Sequence, residues 1–96
     1  MHIAIRTDDR IRDTAGVRQH FGRSLANLRG LRRQLRKLTI RIGERMGWGE
    51  PAGSCAIDAE TRDGKHVHVC VPGTRVMSAI DRSLLALRNQ VERPGS

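Results

Sequence analysis

Apolar residues along the chain recur at two spacings, and each change of spacing marks an expected change of backbone. In His2-Ile3-Ala4-Ile5-Arg6 they alternate, which predicts a short strand with Ile3 and Ile5 turned inward. Thr7 to Arg12 is polar and reads as a loop, after which Asp13 or Thr14 can accept hydrogen bonds from the exposed amides of a starting helix. Val17, Phe21, Leu25 and Leu28 follow at steps of four, four and three, so they stack on one helical face. Arg18, Arg23 and Arg29 then fall on the flanks or outer side, and Gly30 is the expected terminator. From Leu35 to Arg45 the period drops to two, with Leu38, Ile40 and Ile42 on one face and Lys37, Thr39 and Arg41 on the other. Gly47 to Gly53, which contains Trp48 and Pro51, reads as a loop.

Cys55 to Glu60 and His66 to Val71 predict two further strands joined through Asp63-Gly64. A two-residue loop would set Asp58 opposite Val69 and mix core with solvent. Adding Arg62, as a turn closed by a glycine bulge, pairs Ile57 with Val69, Cys55 with Val71 and Ala59 with Val67. The opposite face then sets Asp58 beside His68 and Glu60 beside His66. After Pro72-Gly73, Thr74 can cap a second helix in which Val76, Ile80, Leu84, Leu87 and Val91 form the inner stripe, ended by Pro94. The expected fold is α+β, a two-layer β-α-β-β-β-α order with a four-stranded sheet and both helices on one face. A right-handed crossover makes the first two strands parallel neighbours. One domain over 1–93 with a short tail at 94–96 is expected, because 96 residues cannot support two cores.

Charge sharpens this picture. Residues 1–45 hold twelve Arg or Lys against four acids, while residues 46–96 hold six against six, so the net charge of +8 lies in the first half. That asymmetry points to a polyanion, and the dominance of Arg favours phosphate forks and base stacking. No segment joins the basic stripe to an aromatic insertion face, and none is apolar enough to span a bilayer, so no membrane partner is expected. Residues 1–20 mix charge with hydrophobes and do not read as a signal peptide; a cytoplasmic protein without a disulfide between Cys55 and Cys70 is expected.

Phosphate contact is expected of Arg29, Arg32, Arg33, Arg36 and Lys37, where positive charge is dense and unrelieved by acids. Arg41 on its strand, Arg18 and Arg23 on the first helix, and Arg75 and Arg82 on an outer stripe of the second extend the candidate surface. His66, His68 and Cys70 alternate opposite Asp58 and Glu60, but a flat sheet face converges such ligands poorly, so cross-strand His–carboxylate pairs are expected rather than a metal. No nucleophile has a convincing histidine partner and no glycine loop is built to cradle phosphate, so neither an enzyme nor a cofactor is expected.

The order of elements, the strand starting at residue 2 and the segment Met77-Ser78-Ala79-Ile80-Asp81-Arg82-Ser83-Leu84 together resemble the bacterial hibernation-promoting factor and ribosome-associated inhibitor family. The likeness covers essentially the whole chain, and Ala79-Ile80-Asp81 with its amphipathic helix is its most telling piece. It implies a protein that lodges in the decoding channel of the small ribosomal subunit, meets ribosomal RNA there, and blocks the messenger and transfer RNA sites. It also implies a monomer or weak dimer without a small-molecule substrate. Stopping at Ser96, the chain would be a short form, without a dimerisation domain or acidic tail. Residues alone leave two other readings: a general binder of structured RNA or DNA, and an interaction module for an acidic protein.

Overall fold

The residues that alternate near the N-terminus and after Leu35 form adjacent strands, and those spaced at three and four cover one side of them. The computed structural model describes residues 2–8, 11, 13–47, 50–73 and 75–92, with the side chains of 29, 44–47 and 50–52 outside the description. Along the chain lie β1 (His2–Thr7), α1 (Thr14–Ala26), α2 (Arg29–Gln34), β2 (Leu35–Gly47), β3 (Glu50–Thr61), β4 (His66–Gly73) and α3 (Val76–Val91). The sheet order is β1-β2-β3-β4, with β1 parallel to β2 and the other pairs antiparallel. This is the expected two-layer α+β arrangement with one short helix added.

That added helix corrects the first helical stripe. α1 begins where Asp13 Oδ1 accepts from the Gly16 amide at 2.9 Å, but it ends at Ala26 instead of running on to Gly30. The Asn27 and Leu28 amides close it on Arg23 and Leu25, Leu28 leaves helical geometry at φ −107° and ψ 60°, and α2 starts. Re-aiming the axis drives Leu31 and Leu35 into the core, where both are fully buried.

The second correction concerns residues 47–53, expected as a loop. The β2–β3 ladder continues to Gly47 opposite Glu50, so Pro51, Ala52 and Gly53 are strand residues; Trp48 lies outside the described residues. Register inherited from the long apolar ladder, Leu38↔Ala59 through Ile42↔Cys55, overrides the weak strand preference of glycine and proline. The turn between β3 and β4 has the expected three residues and the expected register, with Ile57 opposite Val69 and Gly64 at φ 91°. The Gly64 amide donates to the Thr61 carbonyl at 3.1 Å and the Thr61 amide to Lys65 at 2.9 Å.

Phe21 and Leu25 of α1 and Ile80, Leu84 and Leu87 of α3 bury against Leu38, Ile40, Ile57 and Val69 of the sheet. Ile5 is half-buried, and Ile3, expected inward, stays 38% exposed because β1 is an edge strand. Cys55 packs under α3, accepting at its carbonyl from the buried Ser83 hydroxyl at 3.2 Å, while Cys70 is exposed on the opposite sheet face. Burial pushes the Cys55 thiol up to about 11. Gly53 and Gly73 face each other across β3 and β4, and the first turn of α3 sits against both. The N-cap position of α3 is Arg75, without a side-chain cap; Thr74 and Pro94 lie outside the described residues.

Candidate nucleic-acid interface

The cations expected to meet phosphate are distributed over one end and both broad faces. At the end, Leu31 and Leu35 take the inward positions of α2 and its exit, which leaves Arg32, Arg33, Arg36 and Lys37 exposed; Arg29 belongs to the same helix. The sheet register slips between Leu35 and Lys37, and Arg36 occupies the irregularity. Its guanidinium donates to the Arg62 carbonyl at 3.0 Å and lies 3.5 Å from the Glu60 carboxylate. The Arg62 amide in turn donates to Gln34 at 2.9 Å, which fastens the β3–β4 turn to α2. Arg33, Arg62, Asp63 and Lys65 therefore share one cavity of about 420 Å³. The Thr61 hydroxyl bonds the Asp63 carboxylate and holds it below the usual carboxylate range.

On the helix-free face of the sheet, Arg41 is exposed and stands beside Arg6 of β1 in direct register, with Lys37 on the same strand and beyond Thr39. The acids of that face are partly committed. Asp58 Oδ1 lies 2.5 Å from His68 Nδ1, as expected, and Glu60 stands opposite His66 in the expected register, but its carboxylate is drawn to Arg36. Among the described residues no group of three or more His, Cys, Asp or Glu is placed to hold a metal ion.

The helix layer presents the remaining cations on the other broad face: Arg18 and Arg23 on α1, Arg82 on α3 and Arg75 at its start, all exposed. Between α1 and α3, Asp81 Oδ1 receives the Ser24 hydroxyl at 2.8 Å and lies 2.8 Å from His20 Nε2. This contact joins residues 57 and 61 positions apart, so no local pattern announces it.

The same fold recurs in two solved structures. A ribosomal subunit interface protein from Coxiella burnetii matches with a TM-score of 0.80 at 12% identity, over 97% of this chain and 96% of that one. The N-terminal domain of Thermus thermophilus Protein Y matches with a TM-score of 0.70 at 24% identity, over 97% and 98%. The chain has their fold. No protein-family model matches it, and no curated protein matches it in sequence.

Three cations of this surface escape the sequence reading: Arg6, Arg62 and Lys65. The signals were present. The alternation that turns Ile5 to the helix side turns Arg6 away from it, and the parallel pairing of β1 with β2 sets Arg6 against Arg41. The three-residue turn carries Arg62 to the same end of the sheet as the basic run on α2.

Proposed function

We propose that this chain is a ribosome-associated translation inhibitor that acts in the cytoplasm, binding small-subunit ribosomal RNA in the decoding channel and occluding the messenger and transfer RNA sites. The observation that carries the reading is the distribution of exposed cations. Arg6 and Arg41 on the sheet face, Arg18, Arg23 and Arg82 on the helix face, and Arg32, Arg33 and Lys37 at the end surround a body 43 × 24 × 19 Å in extent. A flat duplex can touch only one broad face of such a body; a channel with RNA on facing walls engages both. The full-length likeness in fold to a ribosomal subunit interface protein supports the same partner. Inhibition is by occupancy, so the residues that bind also inhibit, and no bond is made or broken.

Binding by phosphate neutralisation releases counterions, and six seated cations give a log–log salt slope of about −4 to −5. The test is cosedimentation with purified small subunits, with the triple variant Arg32→Glu, Arg33→Glu and Arg36→Glu alongside. Retention of the parent protein in the presence of excess unstructured RNA, and its loss in the variant, is the expected result. Competition by unstructured RNA would reduce the reading to a general RNA binder; unchanged cosedimentation of the variant would remove the α2 end from the interface.

A further inference from the structure

Between α1 and α3 runs a groove of about 500 Å³ whose apolar wall is Leu28, Leu84 and Leu85 and whose rim carries Arg23, Asn27 and Asp81. We infer that this groove receives an unpaired nucleobase with a donor edge, guanine before the others, a step that rests on the RNA-binding reading and adds recognition to it. Two features carry the inference. Leu85 is 45% exposed, a large aliphatic side chain held in solvent beside Asp81 and Arg23. Asp81 sets a carboxylate on the same groove as Arg23, where a surface built only for phosphate would exclude it.

The orientation of Asp81 is fixed. His20 Nε2 and the Ser24 hydroxyl both engage Oδ1 at 2.8 Å, and among the described residues Oδ2 has no partner. A carboxylate held through one oxygen offers the other as a directional acceptor, the type of contact that reads base amino groups. Guanine places two donors side by side, its ring imino hydrogen and its exocyclic amine, and both can converge on the single free oxygen Oδ2. Adenine sets a ring lone pair beside its single amine, cytosine does the same, and uracil flanks its one imino hydrogen with two carbonyls. The flat face of the base lies on Leu28 and Leu85, as apolar side chains hold bases taken out of a stack, and Arg23 at the rim reaches the attached phosphate.

The experiment is an amide NMR titration of the full chain with guanosine, inosine and adenosine monophosphates. Guanosine monophosphate is expected to shift residues 20–28 and 81–85 saturably, inosine monophosphate to bind more weakly for want of the amine, and adenosine monophosphate to leave the groove unchanged. Asp81→Asn keeps an oxygen for Ser24 but turns an amide donor toward the base, and should weaken guanosine monophosphate about tenfold. Leu85→Ala, at an exposed site that folding does not need, should weaken all purines. Equal shifts from the guanosine and adenosine nucleotides, shifts confined to Arg side chains, or undiminished binding by Asp81→Asn would each overturn the inference. Cosedimentation with small subunits is read on the same samples: its failure with the groove still binding removes the ribosomal reading alone, and its persistence without base binding removes the groove alone.

Discussion

Substituting the facing glycines Gly53 and Gly73 by alanine should destabilise the protein sharply, because both leave room for the first turn of α3. A Cβ on Gly53 would lie 2.4 Å from the Val76 nitrogen and 2.5 Å from the Arg75 carbonyl carbon; on Gly73 it would lie 2.6 Å from the Ala79 nitrogen. Ordinary contact begins at 3.4 Å, and the obstructing atoms are backbone, so the start of α3 must withdraw by about 1 Å. That movement lifts Ala79 and Ile80, both fully buried, from the sheet. Overpacking of this kind costs about 1–3 kcal/mol, which for a chain of this length lowers Tm by roughly 5–20 °C. Gly22 on α1 is the control: nothing lies within 4 Å of its Cβ position, and alanine there should stabilise by up to about 1 kcal/mol through helix propensity. Thermal and urea unfolding followed by circular dichroism measures all three variants. The double variant Gly53→Ala, Gly73→Ala should cost less than the two singles together, since one withdrawal of the helix relieves both contacts. Equal melting of Gly53→Ala and Gly22→Ala would refute the reasoning and mean that α3 does not seat against the β3–β4 end.

Four further outcomes are expected. Phe21→Ala, at a site 1% exposed, should cost about 3–5 kcal/mol by urea titration, with little change in the slope of the transition. In the native protein a maleimide should modify Cys70 and leave Cys55 untouched until unfolding, as counted by mass spectrometry, because the two thiols lie on opposite sheet faces. The folded state keeps the Cys55 proton up to about 11, whereas a free thiol loses it near 9.0, so stability should fall as pH rises through that window and the fall should vanish in Cys55→Ala. Asp63 has the opposite sign: its folded carboxyl titrates low, so its small contribution is present at neutral pH and lost as pH falls through the folded value, a loss that Thr61→Val should reduce in acid unfolding curves.

Much of the architecture was legible because apolar spacing and turn chemistry agreed. The β3–β4 register followed from one constraint, that Ile57 and Val69 share a face, and Gly64 supplied the left-handed turn residue that this register requires. The inner stripe of α3 was equally plain, with Ile80, Leu84 and Leu87 all fully buried. α2 was not legible. Leu25, Leu28, Leu31 and Leu35 continue a helical spacing that one straight helix would also satisfy, and only packing against the sheet decides that the axis bends at Asn27. Gly47, Pro51 and Gly53 carry local loop preference, and the ladder that runs up to Ile42 opposite Cys55 outweighed it. In the candidate interface the individual cations could be read from exposure patterns. Their gathering at one end could not, because it depends on the contact between the Arg62 amide and Gln34 that fastens the β3–β4 turn to α2.

The parallel pairing of β1 has a kinetic consequence. β2, β3 and β4 join neighbours in sequence, so each rung closes a short loop, whereas His2 meets Lys37 only after the whole α1–α2 crossover is in place. Closing that longer loop costs more entropy before any contact repays it. β1 is synthesised first and should fold last, docking on a meander that already carries α3. Its edge position, with Ile3 incompletely covered, makes it the strand whose amides should exchange with solvent earliest. Arg6 would then reach its place beside Arg41 only in the final folding step, so the paired cations of the sheet face would be completed last.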